Sequence, residues 1–217
     1  MADNLNKRYN AARLKRPQDV DVYDIVDVLG ARIAFEYLSP DRTYLGATIF
    51  HDGALWVWPG NPFDQGMKPS EKLFYSGTII IDRDLSESNK EQDHLTENFT
   101  VIHECFHHSK HKLPFKHGGH MSRSLFEYGK KQLNEDEALY WIEHQANYAA
   151  ACFLMPREAV EYGARQYLHY HGEPLPFGYG IKDDIRELGR RFGVNYSPMV
   201  YRLQALEILQ PDFDRYK

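Results

Sequence analysis

The apolar positions of the chain change period twice. At Val22, Ile25, Val26 and Leu29 they recur every three to four residues, and the run stops at Gly30. A spacing near 3.6 places these side chains on one helical face, and glycine commonly ends a helix, so a short amphipathic helix is predicted from Asp19 to Gly30. Beyond it, β-branched and aromatic residues dominate 32–38, 47–50, 55–58 and 78–82, which predicts strands. The sequence His51-Asp52-Gly53-Ala54 has hairpin-turn chemistry and is expected to join the second strand to the third. The last of the four, 78–82, is read as an edge strand able to hold an extended peptide by β-augmentation. Residues 59–70 hold three prolines and two glycines and predict a surface loop. Residues 1–18 carry five basic side chains and predict a loose or marginally helical arm.

After Asp82 the period becomes helical. Ser88 followed by Glu91 reads as a capping box, and Leu95, Phe99, Ile102 and Phe106 then mark an apolar stripe to about Lys110. A second long helix is predicted from Asn134 through Leu139, Ile142, Ala146, Ala150 and Phe153, ending at Pro156. The intervening 112–133 predicts a long loop with a short helix around 124–131. Residues 181–209 read as helix, Gly193, helix, with Ser197-Pro198 as N-cap and first-turn proline. The expected fold class is α+β: a small, mainly antiparallel sheet on two long helices, followed by a helical, helix-turn-helix-like subdomain. The expected divisions are 1–18, 19–175 and 176–217.

Composition narrows the function. With 217 residues, 42% hydrophobic and 26% charged, the chain is of ordinary globular type. Two cysteines make no disulfide framework, no secretory leader is evident, and no apolar run nears the roughly 18 residues of a membrane span. A cytoplasmic protein without a membrane partner is expected. The net charge of −5 offers no dominant basic patch, and 182–209 balances five basic against four acidic residues, so direct nucleic-acid binding is not expected. Histidine is the anomaly: six of the eleven fall between His103 and His120.

Those histidines begin with His103-Glu104-Cys105-Phe106-His107, an HExxH on a predicted helix. Residues four apart share a face, so His103 and His107 can converge on one metal ion while Glu104 flanks it as a general base. A third ligand is needed. Lys110 and Leu113 stand where the longer HExxHxxGxxH pattern requires Gly and His, which excludes that pattern. Glu143 is the favoured third ligand, because it lies on the apolar stripe of the second helix, where a bare carboxylate is costly to bury. His111, one turn beyond His107, is the alternative, though a solvated side chain is the preferred reading for both His108 and His111. Asn147 is placed to accept a hydrogen bond from His103 or His107 and fix its tautomer. Cys105 points away from the ligands and is assigned to packing. His117, His120 and Arg123 are candidates for stabilising an oxyanion, weighed against a merely polar loop.

Residues 99–107, with Glu143-His144-Gln145-Ala146-Asn147 and the run to Leu154-Met155-Pro156, resemble the ImmA/IrrE family of metallopeptidases. Leu188-Gly189-Arg190-Arg191-Phe192-Gly193-Val194 is similar to that family's helix-turn-helix-like end. The resemblance covers roughly residues 75–209. Phe106 stands where a small residue is usual, and the stretch from His108 to Asn134 is long. The resemblance implies a gluzincin-like zinc site of His103, His107 and Glu143, with Glu104 activating a zinc-bound water. It also implies cleavage of a regulatory protein, often a helix-turn-helix repressor or an antitoxin, in stress or mobile-element circuits. Two other readings compete with this: a catalytically silent, zinc-stabilised protein that sequesters a regulator, and a DNA-binding regulator that uses the C-terminal helices.

Overall fold

A computed structural model describes residues 2–60, 67–111, 122–125 and 137–211. By compactness the chain divides into one unit of 21–148 and another of 1–20 with 149–217.

The first unit opens with helix α2 (Val22–Val28), one turn shorter than predicted, capped by Asp21, whose side chain accepts from Tyr23 N at 3.0 Å. Gly30 ends the helical segment at φ +65°, a conformation open to glycine. Strands β1 (Arg32–Glu36), β2 (Tyr44–Thr48), β5 (Thr78–Asp82) and β6 (Ser122–Leu125) form one sheet in the order β1-β5-β2-β6. The β1–β5 pair is parallel and the other two are antiparallel. Strands β3 (Gly53–Val57) and β4 (Ser70–Phe74) form a separate antiparallel pair. The α+β class and the mainly antiparallel character agree with the sequence reading.

Two strand expectations do not hold. The edge strand expected at 78–82 is interior: β5 lies between β1 and β2, and all five of its residues are buried. A central strand has no free backbone groups for a peptide, and its unbroken Ile79-Ile80-Ile81 run is the pattern of a strand covered on both faces. The hairpin expected at His51 is not a β2–β3 hairpin, since β2 pairs with β5 and β6 while β3 pairs with β4. The chain instead closes the corner by Asp52, which accepts from Ser76 N at 2.7 Å, and by Gly77 N donating to Ile49 O at 2.8 Å. Ala47, Ile49 and Ile80 from the larger sheet meet Leu55, Val57 and Phe74 from the smaller in one apolar cluster.

Helix α3 (Arg83–Ser86) leads to α4 (Glu91–Lys110), which packs on β2, β5, α2 and α3. Its stripe is where the period placed it, but Ser88 is not its cap. The N-cap is Lys90, without a side-chain bond; Ser88 Oγ accepts from Lys90 N and donates to Asp93 at 2.6 Å, ordering the turn before the helix. Of the helix expected near 124–131, residues 124 and 125 lie in strand β6 instead, and 126–131 lie outside the described residues. The predicted N-terminus of the second long helix at Asn134 and most of loop 112–133 also lie outside them; helix α5 is described over Glu137–Leu154.

In the second unit, the N-terminal arm takes the helical of its two expected forms, as α1 (Ala2–Asn10) and a 3₁₀ turn (Ala11–Leu14). Its partner is the C-terminal end of α5, where carbonyl oxygens have no intrahelical donor. Asn6 Nδ2 donates to Phe153 O at 3.0 Å, Arg13 to Leu154 O at 3.3 Å, and Arg202 Nε to Met155 O at 2.9 Å. The positive charges also suit the negative end of the helix dipole. Arg13 further donates to Asn6 and Gln18 and lies over the Phe153 ring at 5.1 Å. Burial lowers the Arg13 pKa to about 10, opposed by the nearby Tyr9 and Asp19, so the cation persists at neutral pH. Arg13→Ala is expected to cost about 2–4 kcal/mol in urea-induced unfolding, because it strands a buried carbonyl and removes the cation from the ring. Helices α6 (Arg157–Tyr167), α7 (Lys182–Arg191) and α8 (Tyr196–Ala205) complete this unit. The helix–Gly193–helix reading holds, with Gly193 at φ +68°, although α8 starts before Ser197, at N-cap Asn195.

Candidate metal centre

The site is built from α4 and the N-terminal part of α5, both in the first unit. Helical spacing sets His103 and His107 one turn apart on α4, fully buried, with ring centroids 4.6 Å apart and Nε2 atoms facing each other at 2.9 Å. Glu143 on α5 brings Oε2 to 3.2 Å from His103 Nε2 and Oε1 to 3.3 Å from His107 Nε2. Among the described residues these three form the one group of this kind able to hold a metal ion, with ligand atoms all within 4.8 Å of one another. A tetrahedral zinc with bonds of 2.0–2.1 Å has ligand-to-ligand edges of about 3.3 Å, which these separations approach.

The outer nitrogens decide which lone pairs point inward. His103 Nδ1 lies 3.0 Å from Asn147 Oδ1, a pure acceptor, so Nδ1 carries the proton and Nε2 keeps a lone pair. His107 Nδ1 lies 2.9 Å from His111 Nδ1, whose ring reaches Gln145 Oε1 through Nε2 at 3.3 Å. Gln145 Oε1 only accepts, so His111 holds its proton on Nε2, leaving Nδ1 to accept from His107. Both inner Nε2 atoms then present lone pairs to each other at 2.9 Å, an arrangement that calls for a cation or a shared proton between them. The donor set therefore fits a borderline metal ion such as zinc.

Electrostatics agree. Burial alone would raise the Glu143 carboxyl, but hydrogen bonds and charge from His103 and His107 outweigh it and hold the pKa down at about 2. Burial lowers His103, yet the bonds to Glu143 and the charges of Glu104 and Glu143 leave it raised overall. His111 is lowered, by burial first and then by its neighbour His107, which keeps it neutral at physiological pH.

Glu104 is fully buried against β2. Thr48 Oγ1 donates to its Oε2 at 2.7 Å and also faces its backbone carbonyl at 3.1 Å. Gly46, two residues earlier on the same face of β2, makes room for it. A Cβ there would sit 2.8 Å from Thr100 Cγ2 and 2.9 Å from both Cγ and Oε1 of Glu104. Neither Gly46 nor Thr48 stands out as a site residue in the sequence; an isolated glycine inside a strand is the available signal of such close approach. His111 also departs from the solvated reading, since it is buried and bonded at both ring nitrogens. Asn147 meets His103, one of the two partners considered. Phe106 and Cys105 are buried in the core, and burial pushes the Cys105 thiol upward, consistent with packing. His117 and His120 lie outside the described residues, as does the side chain of Arg123.

A model of the peptidase M78 family, described as the IrrE N-terminal-like domain, matches residues 62–204, more than half of the chain. The chain belongs to this family. The match takes in the whole of α4 and α5, and with the convergent His, His and Glu it supports a metallopeptidase-like role acting on a protein substrate. No curated protein matches this family member's sequence. Among its described residues no helix is long and apolar enough to cross a membrane.

Proposed function

We propose that the protein is a cytoplasmic, zinc-dependent endopeptidase in which His103, His107 and Glu143 hold the ion and Asn147 orients His103. The observation carrying this reading is the convergence of two imidazole lone pairs and a carboxylate at 2.9–3.3 Å, with both outer nitrogens already engaged. When bound, the ion supplies a Lewis acid for the scissile carbonyl and lowers the pKa of water. Glu104 takes a proton from the attacking water and returns it to the leaving amine nitrogen, so that one water adds across the broken C–N bond. The Thr48 hydroxyl holds the Glu104 carboxylate in place by donating to Oε2.

The proposed substrate is a regulatory protein, a helix-turn-helix repressor or an antitoxin, in keeping with the family resemblance. The pair α7–α8 is given a structural or substrate-docking role. The DNA-binding alternative is disfavoured by α8 itself: its one basic residue, Arg202, is buried and spent on the Met155 carbonyl. The test is incubation of the zinc-loaded protein with the regulator encoded beside it, followed by intact-mass analysis. Two fragments whose masses sum to that of the intact regulator plus one water support the peptidase. An uncut stoichiometric complex supports the sequestering reading instead.

Gly46 gives a separate check on Glu104. Because Gly46→Ala places a methyl group on the Glu104 side chain, it is expected to lower the cleavage rate by about 10–100-fold through misplacement of the base. Metal content should be unchanged. Cleavage at the wild-type rate would mean that the Glu104 position is not critical.

A further inference from the structure

The function proposed above uses two histidines and two glutamates, and leaves unexplained why a further imidazole, that of His111, is buried beside them. His111 is the C-cap of α4, one turn beyond His107, with ring centroids 4.9 Å apart and an interplanar angle of 60°. Both its nitrogens are engaged, Nδ1 with His107 Nδ1 at 2.9 Å and Nε2 with Gln145 Oε1 at 3.3 Å. It therefore stands on the side of His107 opposite the candidate metal position, and it is absent from the convergent ligand group.

We propose that His111, held by Gln145, is a positioning residue that fixes the tautomer and orientation of His107. The chain of protons has one consistent assignment: His107 Nδ1–H donates to His111 Nδ1, and His111 Nε2–H donates to Gln145 Oε1. The other neutral tautomer of His111 would leave the amide oxygen of Gln145 facing a lone pair, and its Nδ1–H could be accepted only by a His107 protonated at Nε2, on the side of the candidate metal. Gln145 on α5 thus decides, through His111 on α4, that His107 presents a lone pair at Nε2. Asn147 does the same for His103 directly. Each histidine is oriented from α5, the helix that also supplies Glu143, so the two helices are tied together at three points around the site. Outer partners of this kind hold a ligand ring in place and raise its basicity.

The inference rests on the metal-site reading, and the test separates the two. Zinc affinity is measured by competition with a chromogenic chelator on folded protein, checked by circular dichroism, with His103→Ala as the control for the site itself. His111→Leu keeps bulk but removes the acceptor, and zinc binding is expected to weaken by about 10–100-fold. In His111→Asn the side-chain oxygen falls where Nδ1 was, and affinity should return to within about threefold of wild type. The visible bands of the cobalt-substituted protein, which report ligand geometry, should shift in His111→Leu and recover in His111→Asn. Should His111→Leu fail to fold, Gln145→Leu at an exposed position decides the matter, with a loss of about 3–10-fold expected. Wild-type affinity in His111→Leu, or equal loss in His111→Asn, overturns the positioning role while leaving the metal site standing. A wild-type protein that takes up no zinc removes both.

Discussion

Glu104→Gln is expected to slow peptide cleavage by about 10²–10⁴-fold, the usual worth of a positioned general base, while zinc content stays at the wild-type level. The substitution is close to isosteric, and the amide oxygen can still accept from the Thr48 hydroxyl that bonds Oε2 at 2.7 Å, so the fold around β2 is retained. What is lost is the capacity to take a proton. The measurement is paired: fragment formation by mass spectrometry, and metal per chain by elemental analysis. Cleavage at the wild-type rate would remove Glu104 from the mechanism, and loss of metal would recast it as part of the binding site.

Glu143→Ala is expected to have the larger effect on the ion itself. It removes one of three donors, so affinity should fall by more than the roughly 10–100-fold typical of a lost outer partner. A ligand that binds only the folded state stabilises it by about 2.7 kcal/mol at a hundredfold excess over its dissociation constant. Added zinc should accordingly raise the melting temperature of the wild type and leave that of Glu143→Ala nearly unmoved. Calorimetric scans with and without zinc check this. An equal upward shift in the mutant would show that Glu143 is not a ligand.

What could be read in the sequence divides along a physical line. The helices α4 and α5 were legible because their evidence is local: apolar residues at 3.6-residue spacing, and HExxH putting two imidazoles on one face. Glu143 and Asn147 followed from the same spacing. Strand pairing was not legible, because a partner is chosen across the chain. Nothing near Ile49 says that β2 will take β5 and β6 instead of β3, and β4 hides its identity by burying only Phe74 of its five residues. Gly46 was missed for the same reason, since its neighbours Thr100 and Glu104 are more than fifty residues away. His111 was ambiguous because an i+4 histidine can be a ligand, a ligand's partner or a solvated side chain, and only the position of Gln145 decides. Arg13 looked like one charge among five on a polar arm. Its burial depends on unpaired carbonyls at the far end of α5.

That clasp sets an order on synthesis. Asn6 and Arg13 leave the ribosome early, but the carbonyls they cap follow 147 and 141 residues later. At about 5–20 residues per second the arm waits roughly 7–30 s for them. Residues 21–148, which contain His103, His107 and Glu143 of the candidate metal centre, are complete before the arm has a partner. During that interval Asn6 and Arg13 have no α5 carbonyls to donate to, and the Arg13 guanidinium has no Phe153 ring to lie over, so water must solvate both until the end of α5 is made.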